Sequence, residues 1–96
     1  MAVRRVVCER KALKGLIRVS LTIVGDVIEE AKITGDFFLY PEDALWLLEE
    51  KLKGVRADVD SIRRVLEETF RDLNITTAGC SVEDFVLAMK CALEGV

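Results

Sequence analysis

Ninety-six residues, 51% hydrophobic and 32% charged with a formal net charge of −3, suit one globular domain spanning 1–96 and leave little room for a deep cleft. That composition excludes a disordered chain, and no apolar run reaches the ~18–20 residues of a membrane span. Histidine is absent, which removes Ser–His and Cys–His nucleophile pairs and histidine metal sites.

The charge is uneven along the chain. Residues 1–18 carry Arg4, Arg5, Arg10, Lys11, Lys14 and Arg18 against Glu9, a net +5, and the remainder is −8. This basic end faces either an anion or acidic partner, or solvent alone as a frayed terminus. An acidic chain lacks the footprint of a nucleic-acid binder. The three cysteines, Cys8, Cys80 and Cys91, are odd in number and form no CxxC. They read as buried, inert thiols in a reducing cytoplasm rather than as a disulfide framework or a metal site.

In chain order, Val3 to Cys8 reads as a strand, and Gly15 marks the turn into the next one. From Ile17 to Ile23, apolar and polar residues alternate strictly. Such alternation predicts a half-buried strand, with Ile17, Val19, Leu21 and Ile23 inward and Arg18, Ser20 and Thr22 outward. Gly25-Asp26 is a two-residue hairpin signal. Val27 to Thr34 returns as the partner strand. Its broken alternation at Glu29 and Glu30 indicates a bulge or an edge position.

Pro41 suits the first position of a helix, with Glu42 and Asp43 in the first turn and Leu45, Leu48 and Leu52 along one face. Trp46 and Leu47 widen that face, and Gly54 ends it. A second helix runs from about Val59 to Leu73, capped by Asp58, with Asn74 as its left-handed stop. Ile75 to Gly79 is a connector. The third helix opens on a capping-box-like pair, Ser81 and Asp84. It buries Phe85, Ala88, Met89, Ala92 and Leu93, and it stops at Gly95. Strands followed by helices make an α+β fold: a small antiparallel sheet of about three strands with three helices on one face.

Four of the six aromatic residues, Phe37, Phe38, Tyr40 and Trp46, crowd the sheet-to-helix corner. Adjacent residues in extended chain point to opposite sides, so Phe37 and Phe38 cannot both enter one face of a small core. Either one of them is exposed and marks a partner site, or the corner encloses both. Carboxylate pairs such as Glu49-Glu50 and Glu67-Glu68 diverge on a helix and read as solvated faces. Nothing assembles a nucleophile, a base and an oxyanion site, so no catalytic residue is assigned and no activity is expected of this chain alone.

The segment Ile33-Thr34-Gly35-Asp36-Phe37-Phe38-Leu39-Tyr40-Pro41-Glu42 closely resembles the Ile–x–Gly–Asp–Phe–Phe–x–x–Pro–Glu signature of the lipoate–protein ligase accessory domain. The resemblance extends from about Lys11 to Leu93 and is strongest at Gly35, Asp36, Phe37, Phe38 and Pro41. It implies the separate small subunit of a split, archaeal-type ligase. It further implies a catalytic partner subunit that holds ATP, magnesium, lipoate and the catalytic lysine. The small subunit would support formation of lipoyl-AMP before transfer to an acceptor lysine. Lys11, Lys14 and Arg18 are then the candidates to face that partner or a phosphate. Two other readings remain at this stage. One is an iron–sulfur scaffold or sulfur-transfer protein, in which Cys80 is a thiolate at a helix start. The other is a generic interaction module.

Overall fold

The computed structural model describes residues 2–12 and 15–94. Lys14 and the helix stop expected at Gly95 lie outside the described residues. The chain runs β1 (Val3–Lys11), β2 (Leu16–Val24), β3 (Val27–Gly35), β4 (Phe38–Tyr40), α1 (Ala44–Leu52), α2 (Val59–Asp72), β5 (Thr76–Ala78) and α3 (Val82–Glu94). β1, β2 and β3 form an antiparallel sheet in that order, and β4 with β5 forms a second, two-stranded one.

β2 is the central strand. Its inward residues Ile17, Val19, Leu21 and Ile23 are fully buried, as strict alternation over a covered face requires. Gly25 takes a φ of 62° in the turn, and Val24 then pairs with Val27. The ladder slips between Thr22, opposite Glu30, and Ile23, opposite Ile28, so Glu29 is the extra residue. The bulge removes the conflict between sequence and pleat. Glu29 and Glu30 both stay in solvent while Ile28, Ala31 and Ile33 remain buried.

β3 is also an edge strand, and its edge is covered. Glu49 on α1 accepts the Ile33 N–H at 2.8 Å. Farther along, Ile28 donates to the Val55 carbonyl at 2.9 Å, and Gly54 donates to the Ile28 carbonyl at 2.8 Å. An unpaired strand edge would otherwise template aggregation.

The helices lie on one side of the sheet. α3 packs on β1 and β2, α1 packs on β3, and α2 lies against both of these helices. Phe85 and Met89 of α3, Leu48 and Leu52 of α1, and Ile62 and Leu66 of α2 meet in one buried cluster. Local signals place the helix ends. The Asp58 carboxylate accepts the Ser61 N–H at 2.8 Å. Asn74 sits at φ 55° after α2. Ser81 donates its N–H to Asp84 Oδ2 at 2.9 Å, and the Asp84 N–H returns to Ser81 Oγ at 3.4 Å.

Three expectations are corrected. α1 begins at Ala44, not at Pro41, and Asp43 stands at its N-cap without a side-chain cap bond. Glu42 and Asp43 therefore precede the first turn. Trp46 does not widen the buried face, because it points into solvent, 59% exposed. The cysteines are not three free thiols. Cys8, inward on β1, is disulfide-bonded to Cys91 on α3, with Cα atoms 5.9 Å apart and a sequence separation of 83. Spacing along the chain carried no sign of this bond, because only packing of α3 on β1 brings the two sulfurs together.

Two stability predictions follow from this architecture. Closing so long a loop restricts the unfolded chain by about 4–5 kcal/mol in the loop-entropy view. Reduction, or Cys91→Ser, is thus expected to lower stability by ~2–4 kcal/mol. Thermal unfolding with and without reductant reads this directly, and unchanged melting would refute it. Secondly, the Ser61 N–H and hydroxyl hold the Asp58 carboxyl below the usual carboxylate range, against the opposing effect of desolvation. A depressed folded-state pKa contributes stability above the unfolded value of about 3.9 and loses it as pH falls through the folded one. Between pH 4 and pH 2 the melting temperature of Asp58→Asn should fall less steeply than that of the unsubstituted chain. Parallel curves would rule out this contribution.

Candidate functional site: the sheet-to-helix corner

The corner is built on two glycines whose backbones almost touch the neighbouring strand. A Cβ at Gly15 would overlap the Asp36 carbonyl oxygen, and one at Gly35 would overlap the Leu16 carbonyl oxygen. Gly35 also has a φ of +153°, which L side chains rarely adopt. This contact lets the Asp36 N–H donate to the Leu16 carbonyl at 3.0 Å, fastening the exit of β3 to the entry of β2. The Asp36 side chain itself is exposed.

After this crossing the chain is extended, and the two phenylalanines separate. Phe37 turns inward and sets its ring edge-on to Phe85, with centroids 5.2 Å apart and planes at 90°. Phe85 in turn packs on Phe70 at 5.9 Å. Such aromatic pairs add about 0.5–1.5 kcal/mol beyond area burial. Phe38 points outward and is 80% exposed. On β4 its same-face neighbour Tyr40 is 71% exposed, while Leu39 between them packs toward the core. Of the two arrangements expected for the phenylalanine pair, the structure thus adopts the one with a single ring exposed.

β5 supports this strip from the other side. Phe38 pairs with Ala78, Leu39 with Thr77 and Tyr40 with Thr76. The sequence reading treated 75–79 as a plain connector, since a three-residue strand has too few positions to show alternation. Pro41 closes the strip through a cis Tyr40–Pro41 bond, and its carbonyl accepts the Ala44 N–H at 2.9 Å.

The basic candidates lie elsewhere. Lys11 and Arg18 are exposed on the sheet face turned away from the helices. Arg18 pairs with Glu9 across the ladder at 2.9 Å, with both side chains about half exposed. Such a pair contributes under ~1 kcal/mol. The structure thus separates the candidates into an aromatic corner and a basic sheet face.

The sulfur reading loses its physical basis here. Burial, and after it the Asp84 charge, pushes the Cys80 thiol up, away from a thiolate. Cys8 and Cys91 are bonded to each other. Among the described residues no group of three His, Cys, Asp or Glu side chains converges as metal ligands would.

Against known proteins, the family described as bacterial lipoate protein ligase C-terminus matches residues 5–88. Lipoate-protein ligase A subunit 2 of Thermoplasma acidophilum is 39% identical over 80 residues, covering 83% of this chain and 82% of that protein. A similar solved chain comes from an archaeal lipoylation system, a bi-partite lipoate protein ligase and its E2 lipoyl domain from Thermoplasma acidophilum. It superposes with a TM-score of 0.83 at 34% identity, over 92% of this chain and 97% of that one.

The glycine crossing makes a specific prediction. Gly54 also has a positive φ, +83°, but open space around it. Gly54→Ala should therefore cost only the backbone penalty of about 1–2 kcal/mol. Gly35→Ala must in addition push two backbones apart, and it should cost clearly more. Equal losses in denaturant unfolding would show that close approach is not what requires glycine at 35.

Proposed function

The chain belongs to the lipoate protein ligase C-terminal family, and on that footing we propose that it is the non-catalytic small subunit of a two-part lipoate–protein ligase. In this reading it pairs as a heterodimer with a separate catalytic chain. ATP, magnesium and lipoate bind on that chain, not on this one. The reaction joins lipoate to ATP, giving lipoyl-AMP and pyrophosphate. The lipoyl group then passes to an acceptor lysine on another protein, forming an amide as the acyl–phosphate bond breaks and AMP leaves. The likeness to a protein named as a second ligase subunit supports the assignment. The setting proposed is the cytoplasm. Among the described residues no helix is long and apolar enough to cross a membrane. Intracellular disulfides do occur in heat-adapted organisms.

The observation that carries the docking role is the outward strip of Phe38 and Tyr40 beside the buried Phe37. Large aromatics in solvent are costly for a free monomer and are typical anchors of interfaces. The signature residues divide this work. Gly35, Asp36 and Phe37 hold the corner rigid, Pro41 closes it, and Phe38 reaches the partner. Docking would order the partner's loops over the adenylate and exclude water from it. Lys11 and Arg18, with Lys14 beside them in sequence, supply positive charge toward the partner or its triphosphate.

The test is reconstitution. Adding this chain to its catalytic partner should raise the rate of lipoyl-AMP formation, and Phe38→Ala should weaken the complex about tenfold or more, the scale of an anchor residue. Phe37→Ala should instead lower the melting temperature. A catalytic chain that activates lipoate equally well without this protein would overturn the assignment. Undiminished binding by Phe38→Ala would overturn the aromatic anchor.

A further inference from the structure

The sheet face turned away from the helices has no cover among the described residues, and its composition differs from the rest of the molecule. Register across the central strand places Val7, Ser20 and Lys32 in one row. Arg5, Thr22 and Glu30 form the row on one side, and Glu9, Arg18 and Thr34 the row on the other. Four cations, Arg5, Lys11, Arg18 and Lys32, share this face with three carboxylates, Glu9, Glu29 and Glu30, and the cations Arg5, Arg18 and Lys32 gather around its middle. The chain as a whole is −3. Glu9 and Arg18 offset each other at 2.9 Å, which leaves Arg5, Lys11 and Lys32 as the cations without a carboxylate across the ladder. Arg5 leans across the ladder, its Nε donating to Ser20 Oγ at 3.3 Å. Together Arg5, Arg18 and Lys32 rim a shallow depression of about 270 Å³ floored by Val7, Ser20 and Thr34.

The shape of this face decides between kinds of anion. A compact phosphate site needs converging backbone N–H groups or a concave nest. Here the N–H groups of β2 are consumed by ladders on both sides, so none is free to converge on an anion, and the depression is shallow and lined by side chains alone. Its cations are spread along three strands. Apolar residues interleave with them, for Val3 and Val27 are exposed at one end and Leu16 at the other. Spread positive charge over a shallow, partly aliphatic surface complements a folded protein surface bearing carboxylates.

We infer that the open face of the β1–β2–β3 sheet is an electrostatic docking surface, with Arg5, Arg18 and Lys32 at its centre, for an acidic patch on the catalytic subunit. This deepens the assignment above and rests on it. The aromatic strip anchors the complex, and the basic face steers its formation. Opposed charges accelerate encounter and lose that effect as salt screens them over about 10 Å at 0.1 M.

The experiment measures association rates of the full chain with the purified catalytic subunit across a range of salt concentrations. The unsubstituted chain should associate more slowly as salt rises. Arg5→Glu with Lys32→Glu should slow association about tenfold at low salt and flatten the salt dependence. Glu30→Lys, which replaces an exposed negative charge on the same face by a positive one, should speed it. Glu68→Lys, on the exposed side of α2, should change neither. Melting curves of each variant separate misfolding from lost steering. Salt-independent association, or charge variants that match the unsubstituted chain, would overturn the inference while leaving the subunit assignment standing. Failure of the unsubstituted chain to associate at all would overturn both. Inorganic pyrophosphate titrated into the isolated chain should not move the amide resonances of Ser20 and Thr34. Saturable shifts there would replace the protein surface with a compact anion.

Discussion

Strand β2 constrains nearly everything else in this molecule. It is hydrogen-bonded on both sides, so its register is fixed by two ladders and its side chains have only two directions to take. Ile17, Val19, Leu21 and Ile23 enter the core, and Phe85, Met89 and the α1 leucines close over the sheet. The same alternation forces Arg18, Ser20 and Thr22 onto the opposite face. The core and the basic surface are thus two consequences of one pleat. A slip of one residue would exchange them, burying Arg18 and exposing four large aliphatic side chains. The bulge at Glu29 belongs to the same constraint, since without it Ile28 could not share a face with Ala31 and Ile33.

The corner after β3 turns this regular sheet into an exposed aromatic strip. Gly15 and Gly35 let the two strand ends approach until the Asp36 N–H reaches the Leu16 carbonyl. From that anchored point an extended chain must send consecutive residues to opposite sides. Phe37 therefore pays into the core through Phe85, and Phe38 is left outside. The exposed aromatic is held between the buried Phe37 and the β5 pairing rather than on a free loop, so in the docking role proposed for it little entropy would be lost.

Much of this was legible because it depends on near neighbours. The β2 alternation, the Gly25-Asp26 turn, the Asp58 cap, the left-handed Asn74 and the Ser81–Asp84 pair each involve residues within a few positions of one another. The opposed directions of Phe37 and Phe38 follow from strand geometry alone, although choosing between an exposed and an enclosed second ring needed the packing of Phe85. Pro41 misled by position. It has the residue type of a first helical turn, yet the chain uses it three residues earlier, to leave β4. Arg5 counted in the sequence only as part of the basic N-terminal stretch, and nothing joined it to Lys32, 27 positions away; only the two ladders of β2 set them on one face.

The sequence by itself determined the three long strands and three helices, the inward face of the central strand, the caps of α2 and α3 and the motif that points to the ligase family. Those are local matters, governed by periods of 2 and 3.6 and by side chains that reach their own backbone. The tertiary structure alone decided the Cys8–Cys91 bond, the pairing of β5 with β4, the covered edge of β3 and the gathering of cations on the open sheet. Each joins residues far apart in the chain, and such contacts are selected by the simultaneous burial of all the apolar faces, which no single segment encodes.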